Sequence, residues 1–524
     1  MNTKFKTGSI LGSLVLKLAI ILMILLVASY LRLRLDFSKN RLYSLSKTSR
    51  EAVKNLKDNM VVKLYTSQEL PAQMSSIDRY VKDLLSEYQN AGKGRFHYEF
   101  VRNLSLDELR TQAQQNGLGS MFFQIYENDK TTTKEVIYGL VFEYQGNVAS
   151  LNVGPRLESR LEYELTLKIQ SLARQSLPEI GLYADTLYSM VPKETFNRDL
   201  NANFNVVETE LLSPPKQTEV LVFPGTIDSL SNQQLYYLDQ YLMKGGSLVV
   251  MQDRVFSDGS RILPLHSNIF DFFEHYGIRI DDAVAMDILC DIRQMGTETS
   301  LPFPIYPVLR GSEHPITRNI SGIVMYMPTG IGAIKKDGVK YTSVLTTSPN
   351  SAILPGPDYV LSAQLFQDLD PELFRNPPIT LGGIVEGRMQ SYFAGKPESK
   401  QPGFVAETDR GRLVIFGDRE LYIDSDKREY AERHYIVLNA VDWLLGRDSM
   451  LNIRSRHLQS SILNIQYYME KKDIVWGDPE KIERNIKTGI KLVSVVLPSL
   501  LLIGLGAFLA LRRKQLMVEK YEKK

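Results

Sequence analysis

The chain holds one cysteine, Cys290, so no internal disulfide, CxxC redox pair or cysteine-based zinc site can form. That count fits either side of a bacterial inner membrane and does not decide between them. Histidine is also sparse: six residues (His97, His266, His275, His314, His434, His457), with no pair at helical metal-ligand spacing. The sequence has no GxxxxGK[ST] loop, no HExxH and no GxSxG elbow. Nucleotide hydrolysis by a P-loop, zinc-protease chemistry and the nucleophile-elbow hydrolases are thereby excluded. No charge sign dominates. A formal net charge of +2 gives no electrostatic case for nucleic acid. Repeats and low-complexity tracts are missing too.

Two long uncharged or nearly uncharged runs are present. Residues 490–511 hold VSVVLPSLLLIGLGAFLA, with Arg512, Arg513 and Lys514 just beyond. About 20 helical residues cover the ~30 Å hydrocarbon core of a bilayer. Pro498, Gly504 and Gly506 are tolerated in such spans. Residues 10–31 form a second run, preceded by Lys4 and Lys6, which reads as an uncleaved signal anchor. Two spans put both termini on one side of the membrane. The basic C-terminal cluster favours a cytoplasmic tail, so the bulk is expected in the periplasm, held at the cell inner membrane.

Between the runs lie two expected α/β modules. In residues 36–175, Ser46 or Thr48 can cap a helix burying Val53 and Leu56. MVVKLYTS alternates as a strand. IDRYVKDLLSEYQNAG sets Ile77, Val81, Leu84, Leu85 and Tyr88 on one helical face. A meander of FFQIYEN, EVIYGLVFEYQG and VASLNV follows, then a helix over about 158–172. This β-α-β-α-β-β-α order resembles a thioredoxin-like layout whose first turn, TSQELPA, has no cysteine. His97 lies inside a strand and reads as structural. Cys290, in the apolar stretch MDILCDI, reads as a buried inert thiol.

In residues 177–447, strands alternate with helices, among them NQQLYYLDQYLMKGG capped by Ser231 and stopped at Gly245-Gly246. The alternation predicts a doubly wound, mostly parallel, flavodoxin-like sheet. Residues 291–401, rich in proline, glycine and β-type runs, read as a strand-rich insertion. Residues 448–488 read as a stalk with a turn at Gly477-Asp478-Pro479. Ligands of such sheets bind at strand carboxyl ends. Those ends nominate Gly225, Thr226, Asp253, Arg254, Asp418 and Arg419 as a candidate binding crevice, against the alternative that these are ordinary turns. No catalytic residue, metal ligand or cofactor is assigned.

The ordered pieces LDFSKNRLYSLSKTS, LEYELTLKIQSLAR, YLMKGGSLVVMQD, SEHPITRNISG, TSVLTTSPNS, GRLVIFGDREL and YIVLNAVDWLLG run from Leu35 to Gly446. With the two flanking runs, they resemble the GldG family of membrane components that assist ABC transport systems associated with gliding motility. The resemblance implies an intraflagellar-transport-like second domain. It also implies two partners, an ATP-hydrolysing subunit and a permease, and it brings no catalytic residues. The expected function is a non-enzymatic auxiliary subunit binding partner or cargo outside the cytoplasm. The alternatives are a membrane-tethered envelope hydrolase using Asp253 and Asp418, or a glycan- or peptide-binding scaffold. Self-association stays open.

Overall fold

The computed structural model describes residues 44–457 apart from 102–103, 128–129, 174–176, 259, 296–298, 319, 356–358, 361–370 and 426–432, together with Met23, Thr488, Gly489, Leu492 and Val496. The expected spans over 10–31 and 490–511, and the stalk beyond His457, lie outside the described residues. No helix among the described residues is long and apolar enough to cross a membrane. The chain divides into two compact units. The first comprises 1–179, 199–205 and 446–458, and the second comprises 180–198, 206–445 and 459–524.

The first unit opens with α1 (Lys47–Lys54), whose N-terminus is satisfied by Ser46: Ser49 N donates to Ser46 Oγ at 3.0 Å. Strand β1 (Met60–Thr66) leads to α2 (Ser75–Ala91), which buries the five residues that helical spacing singles out. Each is a large side chain worth about 1.5–3 kcal/mol when buried, set against the entropy of ordering the chain. Strand β2 (Phe96–Val101) pairs parallel with β1. Helix α3 (Leu106–Gln115) starts on a capping box between Ser105 and Glu108. Then β3 (Ser120–Glu127), β4 (Lys130–Tyr144) and β5 (Asn147–Asn152) form an antiparallel meander. The second half of β4 lies antiparallel to β1, giving the central order β2-β1-β4-β5.

Alternation along β1 sorts the helices of this unit. Met60, Val62 and Leu64 face Val53, Ile77 and Val81, together with Leu165 and Ile169 of α4 (Leu161–Ala173). Tyr65 faces Leu109 and Ala113 of α3 on the other side. The helix Asp448–His457 belongs to this same unit. The sequence boundary assigns it to the stalk because its few apolar residues give little periodicity. Its Met450 and Ile453 nevertheless pack with Tyr163 and Leu167. Its fully buried Arg454 donates to the Tyr163 hydroxyl at 3.2 Å.

The second unit holds a ten-stranded sheet. Its parallel part uses β6 (Glu179–Tyr183), β7 (Asn205–Thr209), β8 (Val220–Phe223), β9 (Ser247–Met251) and β10 (Glu407–Phe416) in the order β7-β6-β8-β9-β10. Parallel registers join β6 to β8, β8 to β9 and β9 to β10. Beyond β10 the sheet continues antiparallel through Thr380–Gln390, Val339–Thr346, Thr299–Gly311 and Cys290–Met295. The strand-rich stretch 291–401 thus extends the parental sheet, and also supplies strands to smaller ones.

Helices α5 (Thr186–Met190) and α6 (Glu194–Asn203) connect β6 to β7. Helices α7 (Asn232–Met243) and α8 (Ile269–His275) cover the face carrying Leu221, Leu248, Leu413 and Ile415. Val222, Val249 and Val414 point the other way, where α9 (Tyr435–Leu444) lies over β8 and β9. Helix α7 opens with a reciprocal cap: Gln234 N donates to Ser231 Oγ at 3.2 Å, and Ser231 N donates to Gln234 Oε1 at 3.0 Å. Ser231→Ala is expected to cost about 1 kcal/mol, read as a lower denaturation midpoint at unchanged slope. An unchanged midpoint would show the cap to be dispensable.

Candidate functional site

The chain runs from β6 outward to β7, then returns to the opposite side of β6 to lay down β8, β9 and β10. That reversal is the topological switch at which open α/β sheets hold ligands. Because β6, β8, β9 and β10 are parallel, their carboxyl ends share one edge, and five of the six nominated residues meet there.

Gly225 follows β8 with φ of +84°, and an added Cβ would sit 2.3 Å from the Met251 carbonyl. Gly225→Ala is therefore expected to lose about 2 kcal/mol, through strain at positive φ and the clash. A chemical-denaturation midpoint equal to wild type would refute this. Thr226 N donates to Gln252 Oε1 at 2.9 Å, and Gln252 Nε2 returns a bond to the Thr226 carbonyl at 3.1 Å. Arg419 N donates to Asp253 Oδ2 at 3.2 Å, while the Arg419 guanidinium stands 3.8 Å from Oδ1. Asp418 accepts from Tyr326 N at 2.8 Å and from Glu420 N at 2.7 Å. The Glu420 bond caps the short turn Arg419–Tyr422. Arg254 departs: it donates to the Ile280 carbonyl at 3.1 Å, and its guanidinium lies 4.6 Å from the Phe270 ring centre.

Gln252, Tyr326, Glu420 and Arg433 complete the cluster, and sequence reasoning passes over all four. Gln252 adjoins a nominated aspartate, so strand-end position offered a faint signal. Tyr326 and Arg433 come from distant segments and offered none. Arg433 is buried and donates to the carbonyls of Glu420 and Ile423, with its guanidinium 3.9 Å from the Tyr326 ring centre.

Burial dominates the electrostatics. It pushes Asp418 up to about 7, opposed by Arg433 and reinforced by Glu420. Burial likewise raises Asp253 against the pull of Arg419, and raises Glu420 against that of Arg433. A raised carboxyl is a mark of acid–base sites, and equally of structural ion-pair networks. Accessibility separates the two here. Asp418 is 0% exposed, Asp253 3% and Arg419 6%; both Asp418 oxygens accept backbone N–H groups, whereas Asp253 Oδ1 and Arg419 Nη1, 3.8 Å apart, have no hydrogen-bond partner among the described residues. The arrangement ties three strand ends together and leaves these carboxylates closed to solvent. Among the described residues, no group of three His, Cys, Asp or Glu side chains is placed to hold a metal.

In the first unit, the turn after β1 borders a cavity of about 450 Å³ lined by Thr66, Ser67, Gln68, Asp78 and Lys82 among others. Ser67 is committed to the fold: its N donates to the Ile137 carbonyl and its Oγ accepts from Ile137 N, both at 2.9 Å. Lys82 pairs with Asp78 at 2.7 Å. Cys290 is buried, and burial pushes its thiol up to about 12. His97 Nε2 bonds the Gly94 carbonyl at 2.9 Å.

Residues 177–435 match a family described as an ABC-type uncharacterized transport system. The match supports the ABC-transport auxiliary family and, with it, a transport-associated role and association with ABC transporter components. It does not single out the gliding-motility branch. Residues 39–143 match a domain of unknown function (DUF7088). An uncharacterized protein of Borreliella burgdorferi is 20% identical over 97% of this chain and 99% of its own length. The solved mmIFT52 N-terminal domain is similar at 15% identity and a TM-score of 0.32, over 51% of this chain and 96% of that one. At that score the likeness carries no argument.

Proposed function

We propose that this protein is a non-enzymatic auxiliary subunit of an ABC transport system of the gliding-motility-associated GldG type. Two spans, over 10–31 and 490–511, anchor it in the cell inner membrane and dock on the permease. Its two units stand in the periplasm and bind partner or cargo by contact. The observation that carries this reading is the family match over 177–435. The central order β2-β1-β4-β5, with β1 parallel to β2, supports a thioredoxin-like first domain. The order β7-β6-β8-β9-β10 supports a flavodoxin-like second one. The locked strand ends support action without catalysis.

Purification of the full chain in mild detergent, followed by mass spectrometry, should recover an ABC ATPase and a permease. Repeated recovery of the chain alone would refute the proposal. Alkaline phosphatase fused at Ser150 should be active and at Lys524 inactive, and the reverse pattern would invert the topology. The envelope-hydrolase reading draws on one observation, the raised Asp418. Turnover of an envelope substrate by the purified chain would establish it in place of the present reading.

A further inference from the structure

We propose that the cavity at the carboxyl ends of β1 and β2 binds a zwitterionic α-amino acid with an apolar side chain. The site belongs to the first unit alone and does not depend on the proposed transport role. Strand β1 ends at Thr66 and β2 at Val101, and the two are parallel, so their carboxyl ends share one edge. The chain runs from β1 outward to β2 through α2, then returns past β1 through α3 to β3 and β4. Helix α2 packs on one face of the sheet and α3 on the other. The two connections thus part at this edge, and the gap between them is where open α/β sheets hold ligands. The cavity there measures about 450 Å³, and both strand ends and both helices contribute to its lining. That size is within the range of small-ligand pockets.

The cavity walls divide by chemistry. Leu70, Val101, Leu104 and Leu109 supply an apolar side. Asp78 and Lys82, a turn apart on α2, supply one charge of each sign among the described lining residues. The buried Tyr138 hydroxyl donates to Asp78 Oδ1 at 2.9 Å, and Lys82 Nζ donates to Oδ2 at 2.7 Å. Tyr138 thereby orients the carboxylate, and the carboxylate orients the ammonium. Both groups keep bonding capacity. Lys82 Nζ carries three N–H donors and gives one to Asp78, and each Asp78 oxygen has a second lone pair. The Lys82 and Asp78 side chains are 45% and 20% exposed, so a ligand can reach them. Charge then selects the ligand. A lone carboxylate drawn to Lys82 would also face Asp78, and a lone amine drawn to Asp78 would also face Lys82, with like charges repelling at that range. A molecule with both charges on one carbon sets its carboxylate against Lys82 and its ammonium against Asp78, and keeps the cavity neutral. An α-amino acid is such a molecule, and its side chain is left to the four apolar residues.

The test titrates the full chain in mild detergent with L-leucine by isothermal calorimetry, against leucinamide, 4-methylpentanoate and glycine. Leucinamide lacks the carboxylate, 4-methylpentanoate lacks the ammonium, and glycine lacks the side chain. Leucine should bind saturably, and each analogue at least about tenfold more weakly. Hydrogen exchange of the leucine-bound wild type should slow in peptides covering 66–82 and 104–109. Lys82→Gln should weaken leucine binding at least about tenfold, with its ligand-free denaturation midpoint near wild type, because a half-exposed ion pair contributes little to folding. Absence of saturation up to about 10 mM leucine overturns the proposal. So does equal binding of any analogue, slowed exchange confined to other peptides, or unchanged leucine affinity in Lys82→Gln. The analogue and exchange measurements use wild type, and they decide the outcome if Lys82→Gln fails to fold.

Discussion

Asp239→Ala should be among the most damaging single changes in the second unit, lowering its stability by about 3–5 kcal/mol. Asp239 projects from α7 and is fully buried. Its carboxylate accepts from Ser391 Oγ at 2.8 Å, from Tyr392 N at 2.7 Å, from Gln240 Nε2 at 2.8 Å and from the Tyr276 hydroxyl. One side chain thereby ties α7 to the end of α8 and to the segment leaving the Thr380–Gln390 strand. Truncation strands several buried donors at once, and each orphan costs about 1–3 kcal/mol. Against a typical total of about 5–15 kcal/mol, that is a large fraction. Asp239→Asn should recover little, because its amide presents hydrogens to groups that are themselves donors. Hydrogen exchange of peptides across 232–276 should accelerate in Asp239→Ala and stay near wild type in Asp271→Ala, an exposed position on α8. Equal protection in all three proteins would remove Asp239 from this role.

Asp239 also marks where sequence reading runs out. Helix α2 is legible because its stripe from Ile77 to Tyr88 is local: the 3.6-residue period names the buried face without knowing what covers it. The same holds for Ser231 at the start of α7, where the cap and its partner are three residues apart. Asp239 lies on α7 as well, yet apart from neighbouring Gln240 its partners come from positions 276, 391 and 392, and periodicity reads a charged residue as solvent-facing. The candidate crevice divides along the same line. That Gly225, Asp253 and Asp418 share an edge follows from parallel strands. Whether each side chain turns toward that edge depends on neighbours from elsewhere. Arg254 turns away because the Ile280 carbonyl and the Phe270 ring hold it. Arg433 arrives from near α9 with no local signal at all. The strand-rich stretch reads as an insertion for a related reason. Antiparallel pairing of Thr380–Gln390 with β10 is a non-local choice, and no turn signal encodes it.

Asp418→Asn should strongly change the pH dependence of the second unit's stability. In the folded protein burial holds this carboxyl up at about 7, while an unfolded aspartate titrates near 3.9. Between those values the folded state keeps a proton that the unfolded state has released, so folding grows weaker as pH rises. The stabilisation is complete below about pH 4, is lost progressively up to about pH 7, and does not fall further above it. The span corresponds to a loss on the order of 4 kcal/mol. Exposed first-unit carboxylates such as Glu69 and Glu108 are held low by their partners and slope the other way. The comparison must therefore be between wild type and Asp418→Asn at each pH. Asparagine cannot accept from both Tyr326 N and Glu420 N, a fixed cost of about 1–3 kcal/mol that does not titrate. The advantage of wild type over the variant should thus be greatest near pH 4–5 and should shrink by pH 8. A gap constant across that range would mean that Asp418 does not titrate there. A gap widening with pH would mean that the two backbone donors and Arg433 outweigh burial, and hold the group ionised throughout.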